Sequence, residues 1–220
     1  PRVKVIFGNG ARIGRSHQVF RISPDKDWNG VDFGMAPQFS SSDDGNFSGL
    51  LPKQVVPKMR RLFVTHAHLD HVGPLPFIVK MYPGIEIFMT KETQVLAHAM
   101  IWSQSIRIAD MENRRRLFEP IDIDRLLEQI RIVEPGEELR FEHFSALPLS
   151  NGHIPGSVSW IFIPKNDTDP LFFSGDLSFQ PQELTRGAVP IPDRFRKFSI
   201  AVVESTNLMT LGYSRELEKD

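Results

Sequence analysis

The sequence predicts an α+β fold (α/β in the wider sense), with two packed β-sheets and helices on their outer faces. Three observations carry that reading. Short apolar strands with meander-like spacing occur near both ends of the chain. A helix-rich stretch between Leu75 and Ile130 separates the two groups. A run of polar, ligand-type residues, His66-Ala67-His68-Leu69-Asp70-His71, follows directly on an apolar strand, where a rigid scaffold presents functional groups.

In chain order, Val3–Phe7 alternates and is rich in β-branched residues, and Gly8-Asn9-Gly10 supplies a turn. Gln18–Ile22 alternates again, residues 23–30 read as a turn, and Val31-Asp32-Phe33 is a short strand. An acidic residue in such a strand either faces solvent or accepts hydrogen bonds in the interior, and Asp32 fits both readings. Residues 34–53, rich in Gly, Ser, Asp and Pro, read as a surface loop. Leu62-Phe63-Val64 is a buried strand, and Gly73-Pro74 opens a short helix through Met81. Pro83-Gly84 breaks it before the strand Ile85–Met89. Thr90 is the expected N-cap of a long helical region reaching about Phe118, with Val95, Leu96, Met100, Ile101, Ile106 and Ile108 as its apolar face. Asp122 or Asp124 is expected to cap a further helix over residues 125–130. Strands return at Arg131–Val133, Leu139–Phe144, Ala146–Leu149, Val158–Ile163, Leu171–Phe173 and Ile200–Val203.

A chain of 220 residues, with 40% hydrophobic and 24% charged content, suffices for one substantial core. A net charge of −1 gives no global basic signature. The absence of cysteine excludes disulfides and thiolate-bound zinc. No stretch approaches the roughly 18 apolar residues that a membrane helix needs, so a cytoplasmic protein without a membrane partner is expected.

Three imidazoles and a carboxylate within six residues are difficult to account for by packing. On a strand, His66 and His68 would share a face and His71 would point away; in the loop after a strand all can converge. Neutral imidazole and carboxylate suit zinc and related divalent ions. A solvated histidine-rich turn is the competing reading. Two later segments repeat the placement of a ligand-type residue after an apolar strand: His153 in the turn-rich run Ser150–Ser157, and Asp176 directly after Leu171–Phe173. Either residue alone would be read as solvated.

Taken together, Thr65–His71, Gly152-His153-Ile154-Pro155-Gly156-Ser157 and Gly175-Asp176 are similar to successive motifs of the metallo-β-lactamase superfamily, and Val31-Asp32-Phe33-Gly34 looks like its early Asp-x-Gly motif. The resemblance runs from about Gly8 to Glu204 and implies a metallo-β-lactamase-like αββα sandwich with metals at one edge. Gly10-Ala11-Arg12-Ile13-Gly14-Arg15-Ser16, the stretch Ser103–Ile108 with Pro120–Asp124, and Val202-Val203-Glu204-Ser205-Thr206-Asn207 resemble features of the β-CASP nucleases, of the ribonuclease J and cleavage-and-polyadenylation types.

That resemblance implies two zinc sites. His66, His68 and His153 belong to the first, Asp70 and His71 to the second, and Asp176 bridges both. Asp32 and Glu204 are the carboxylates that orient the ligand loops, and Arg12, Arg15 and Ser205 are candidate phosphate contacts. It further implies a zinc-dependent phosphodiester hydrolase, a ribonuclease core in RNA processing, whose hydroxide is held between two cations with Asp70 and Asp176 as catalytic carboxylates. RNA is the expected partner, single-stranded DNA or a second copy of the chain further ones. The alternative is a small-molecule metallo-hydrolase of thioesterase or lactonase type. Residues 1–204 are expected to form the metallo-β-lactamase-like domain and residues 205–220 to begin a β-CASP-type segment. All seven histidines lie at or before His153, so the second zinc lacks the last histidine that the family supplies. Blander expectations attach to His98 (a packed or partly exposed core residue), His143 (an outward strand position), His17 (a residue with some chance of approaching the site) and Arg114-Arg115-Arg116 (a solvated helix face).

Overall fold

The computed structural model describes residues 3–7, 16–35 and 58–204. The first sheet has the order β1-β2-β3-β4-β5-β6, formed by Val3–Phe7, Gln18–Ile22, Trp28–Val31, Met59–Phe63, Glu86–Met89 and Ile130–Ile132. Its first three strands pair antiparallel, and β3 through β6 run parallel. The second sheet has the order β11-β10-β9-β8-β7, from Leu139–Arg140 (β7), Phe144–Ser150 (β8), Val158–Pro164 (β9), Leu171–Phe173 (β10) and Ile200–Val202 (β11). Only β10 and β11 pair parallel in it.

Strand alternation divides the core into layers. Phe20, Ile22, Val31 and Phe63 face the second sheet and meet Phe144, Trp160, Phe162 and Phe173. Phe63 is central, with ring centroids 5.0 Å from Phe88, 5.0 Å from Trp160 and 4.8 Å from Phe162. Burial of a ring on this scale means that Phe63→Ala would cost about 3–5 kcal/mol. Val19, Leu62 and Val64 point the opposite way, into the helical layer. That layer comprises α1 (Leu69–Val72), α2 (Leu75–Met81), α3 (Lys91–Leu96), a π-helical segment (Ala97–Trp102), α4 (Ser103–Met111) and α5 (Pro120–Gln129). The outer face of the second sheet, with Leu147, Leu149, Ile161 and Phe172, is covered by Phe195 and Phe198 from the segment before β11.

Several elements depart from the expected bounds. β3 begins at Trp28, because Asn29 and Gly30 pair with β2 and β4, and it stops before Asp32, whose φ of 53° leaves extended geometry. β4 begins at Met59 and takes in Arg60 and Arg61. Its two arginines look loop-like in the sequence, but the Arg61 guanidinium is buried 4.8 Å over the Phe141 ring. The long helical region stops at Met111, seven residues short of Phe118. Arg114-Arg115-Arg116 therefore lies off the helix, and Arg116 pairs with Asp110 and Glu119. Neither Asp122 nor Asp124 caps α5. Glu119 is the N-cap, and Asp122 sits three residues inside, accepting the Glu119 N–H at 2.8 Å and Lys80 Nζ at 2.6 Å.

Expected Leu139–Phe144 is two elements, so His143 sits in the turn between β7 and β8. His98 is exposed rather than packed, and Val95, Met100 and Ile108 are exposed as well. The π-helical turn rotates the following residues relative to α-helical periodicity, so an apolar face extrapolated at 3.6 residues per turn fails there. The Gly8–Gly10 turn, most of the 34–53 loop, and residues 205–220 lie outside the described residues.

Candidate metal centre

β4 leaves its sheet at Thr65. The Thr65 N–H donates to Asp32 Oδ1 at 2.7 Å, and its carbonyl accepts the Val158 N–H at 2.8 Å, so the chain turns away between the two sheets' edges. The residue before it is held too, since the Trp160 indole N–H donates to Val64 O at 3.0 Å. His66 is fully buried beyond this exit. His68, extended at φ −100° and ψ 154°, starts the single helical turn α1 that carries Asp70 and His71.

A one-turn helix leaves nearly all its carbonyls without an internal partner. Here outside donors fill them: Met35 N–H to Leu69 O at 3.2 Å, Ser16 N–H to Asp70 O at 2.7 Å, Phe33 N–H to His71 O at 2.8 Å, and the Trp102 indole N–H to Val72 O at 3.0 Å. This explains the glycine of Asp32-Phe33-Gly34. A Cβ on Gly34 would lie 1.5 Å from Asp70 O, so only glycine lets the two backbones approach.

The ligand atoms converge. His66 Nε2 lies 3.1 Å from His68 Nδ1, and His153 Nε2 lies 3.2 Å from the same atom. Asp176 Oδ2 is 3.7 Å from His66 Nε2 and 3.6 Å from His153 Nε2. The four donor atoms all fall within 4.8 Å of one another. The other Asp176 oxygen, Oδ1, faces His71 Nε2 at 3.5 Å, and Asp70 Oδ2 is 3.8 Å from that nitrogen. Asp176 thus stands between two clusters.

Burial and neighbouring imidazoles hold His66 well below its ordinary pKa; His68 and His153 are also lowered, chiefly by burial. Their rings are therefore neutral near pH 7 and have lone pairs to offer. Burial also raises Asp176, with Asp70 and Asp32 adding to the rise and His71 opposing it. His71 is different. Burial pushes it down, but Asp32, Asp70 and Asp176 outweigh burial and raise it to about 9. Three neutral imidazoles and a carboxylate aimed at one small volume fit a divalent cation of zinc's preferences.

Asp32 does not face solvent. It is fully buried and accepts from Thr65 N, from Thr65 Oγ1 at 2.8 Å and from His71 Nδ1 at 2.7 Å. Glu204 Oε1 accepts the Leu177 N–H, one residue past Asp176, and the Glu204 N–H donates to Ser174 Oγ at 3.0 Å. His17 stays behind the site: it is buried, packs edge-on to Phe33 and bonds through Nδ1 to Asp32 O at 2.8 Å. Arg12, Arg15 and Ser205 lie outside the described residues.

Sequence reasoning gave no role of their own to Thr65, Asn151, Trp102 and Trp160. Asn151 is buried, donates through Nδ2 to Ser174 O at 3.0 Å and accepts the His153 N–H at 3.2 Å, which ties the His153 loop to the Asp176 loop. Its place in Ser150-Asn151-Gly152 looks like ordinary turn chemistry. Only the contact across 23 residues reveals the role.

Residues 44–210 match the family described as the Beta-lactamase superfamily domain. The chain belongs to this superfamily. Among curated relatives of this superfamily member, ribonuclease TTHA0252 from Thermus thermophilus is 30% identical over 136 residues, 62% of this chain and 29% of the relative. Cleavage and polyadenylation specificity factor subunit 3 from Dictyostelium discoideum is 26% identical over 203 residues, 91% of this chain and 25% of the relative. A relative named as a ribonuclease and another named as a cleavage and polyadenylation factor are in line with the resemblance in the motifs. The chain spans about a quarter to two fifths of the length of the curated relatives it matches, between 25% and 38%. The Rm3 metallo-beta-lactamase superposes with a TM-score of 0.50 and 12% identity, covering 83% of this chain and 68% of that one, a likeness of fold. Among the described residues no helix is long and apolar enough to cross a membrane.

Proposed function

We propose that this chain is the catalytic part of a zinc-dependent phosphodiester hydrolase acting on RNA. The observation that carries the proposal is the convergence of His66 Nε2, His68 Nδ1, His153 Nε2 and Asp176 Oδ2, with Asp176 Oδ1 turned to a second cluster at His71 and Asp70. Relatives named as ribonucleases and as a cleavage factor supply the substrate class.

In this reading His66, His68, His153 and Asp176 hold the first zinc, and Asp70, His71 and Asp176 hold the second. Zinc supplies Lewis acidity toward a phosphoryl oxygen and lowers the pKa of water. The protein's own residues do the positioning. Asp32 accepts a hydrogen bond from His71 Nδ1 and so aims Nε2, free to bind once its own proton is released, toward Asp70 and Asp176. Glu204, through Leu177 N–H, fixes the backbone after Asp176. Asp70, part-exposed at the mouth of the cluster, is assigned to hold the direction of the attacking water and accept its proton. Arg12, Arg15 and Ser205 are assigned to the phosphates. Residues 1–204 are read as the hydrolase domain and 205–220 as the start of a β-CASP-type segment, the protein acting in the cytoplasm.

The test is hydrolysis of single-stranded RNA, single-stranded DNA and a thioester by the full chain with added zinc. Zinc-dependent cleavage of RNA, lost by orders of magnitude in Asp70→Ala with the fold retained, is the expected result. Thioester turnover without RNA cleavage would replace the proposal with the small-molecule hydrolase, and unchanged turnover in Asp70→Ala would remove that carboxylate from the chemistry.

A further inference from the structure

The helical rod running from Thr90 to Met111 bonds to two of the segments that carry the candidate ligands without contributing a ligand itself. At its start, Thr90 Oγ1 lies 2.7 Å and Thr93 Oγ1 3.2 Å from Gly156 O, in the loop that carries His153. The fit is close: a Cβ on Gly156 would sit 2.6 Å from both Thr90 Oγ1 and Glu92 Cβ. Thr90 Oγ1 also accepts the Thr93 N–H at 3.2 Å, so the residue that caps α3 also grips the His153 loop. Nine residues beyond Thr93, the fully buried Trp102 donates its indole N–H to Val72 O, the last carbonyl of the α1 turn that carries Asp70 and His71. The three other α1 carbonyls are filled by backbone donors from residues 16–35, so Trp102 is the side chain that completes the set.

Helical phase makes this arrangement specific. Thr93 and Ala97, four apart, share a buried face. Trp102 follows Ala97 by five residues, a spacing that an α-helix would turn about 140° off that face. The segment Ala97–Trp102 is π-helical, and its wider turn brings Trp102 back toward that side, where it is fully buried like Ala97. The rod is therefore wound so that Thr90, Thr93 and Trp102 all face inward while Val95, Met100 and Ile108 are left outside.

We propose that the Thr90–Met111 rod is a positioning element for both zinc sites: Thr90, with Thr93, sets the His153 loop for the first, and Trp102 sets the Asp70–His71 turn for the second. The proposal rests on the zinc reading above. Positioning partners of ligands are worth about 10–100-fold in metal affinity, which gives the scale to look for.

The experiment titrates zinc(II) into the metal-free full chain by calorimetry, with histidine ring NMR assigning each binding step to its imidazoles. Trp102→Phe removes the donor and is expected to weaken the His71 step by about tenfold or more while the His66–His68–His153 step stays within about twofold. Thr90→Val is expected to do the reverse, and Thr90→Ser, which keeps the hydroxyl, to restore it. Should Trp102→Phe fail to fold, benzothienylalanine at position 102 keeps the bicyclic shape and lacks only the N–H. A merely structural rod would lower thermal stability in both variants and leave the two steps unchanged or moving in parallel. Either result overturns the positioning role. A wild-type chain that takes up no zinc overturns the zinc reading and the positioning role together, whereas normal wild-type uptake with unmoved variants overturns the positioning role alone.

Discussion

Replacing Asp32 with asparagine tests how the buried carboxylate organises His71. Asp32 has a φ of 53°, a left-handed conformation that Asn tolerates as well as Asp does, so the change adds no backbone strain. The new amide carbonyl can keep the Thr65 N–H bond, which turns its NH₂ toward Thr65 Oγ1 and His71 Nδ1. Nδ1 must then accept, so the ring is held neutral with its one proton on Nε2, the nitrogen 3.5 Å from Asp176 Oδ1 and 3.8 Å from Asp70 Oδ2.

In the metal-free protein His71 is raised from 6.5 to about 9, burial being outweighed by Asp32 and the two further carboxylates. A shift of that size is linked to roughly 3 kcal/mol of stability. Because the folded pKa is the higher one, this stability is fully present below pH 6.5 and is lost as pH rises through 9. Asp32→Asn should therefore lower the stability of the metal-free chain at pH 6 by about 2–3 kcal/mol, with the loss shrinking above about pH 9. It should also weaken the His71 zinc step by about 10–100-fold. Urea denaturation across pH, ring ¹⁵N NMR of His71 and zinc calorimetry read the three effects. An Asp32→Asn variant whose His71 still titrates near 9 with both zinc steps intact would refute the reasoning.

Three further outcomes are expected. Zinc uptake at the His71 position should release a proton near pH 7 and tighten about tenfold per pH unit up to about pH 9, then level off; calorimetry in buffers of different ionisation enthalpy checks this, and pH-independent uptake would contradict it. Gly34→Ala would press a methyl group into the Asp70 carbonyl, where the neighbour is backbone and cannot yield, so a loss above about 3 kcal/mol, read from the denaturant midpoint, is expected. His17, pushed down to about 4 by burial, refuses a proton that the unfolded chain takes up below 6.5, so wild-type stability falls as pH drops from 6.5 toward 4. His17→Asn should make that slope shallower by about 1.4 kcal/mol per pH unit, and identical slopes would show that His17 is not buried neutral.

The candidate ligands were legible as a group because their chemistry is local, and the structure brings His66, His68, His153 and Asp176 together. His66, His68, Asp70 and His71 are spaced so closely after an apolar strand that only a loop-borne cluster makes sense of them, and His153 and Asp176 repeat the placement. The strands Val3–Phe7, Gln18–Ile22 and Leu171–Phe173 were legible for the same reason, alternation or an unbroken apolar run within five residues. What escaped depends on distant partners. Arg61 enters a strand because Phe141 lies over its guanidinium, 80 residues away. Helix α5 starts at Pro120 with Glu119 as its N-cap, and Asp122, which looks like a cap, binds back to the Glu119 N–H and to Lys80. The π-helical turn answers to what Trp102 must reach, and no period in the sequence announces it. Asp32 could be read either way until Thr65 and His71 were placed beside it.

At the candidate metal centre the two sheets are joined by more than packing. In the middle of the interface the contact is apolar and aromatic, Phe20, Phe63, Phe144 and Phe162 meeting ring against ring. Such close packing fixes the spacing of the sheets. At the ligand end the joint is made of hydrogen bonds: Val158 N–H to Thr65 O at 2.8 Å, and the Trp160 indole N–H to Val64 O at 3.0 Å. His66 follows these carbonyls on the first sheet, while Asp176 and His153 follow strands of the second, so the proposed cation-binding volume straddles the joint. A slide of even one ångström between sheets would open the 3.1–3.7 Å spacings among these donors. Directional bonds at this edge restrict that slide, and their position beside the ligands follows from what a shared site between two sheets demands.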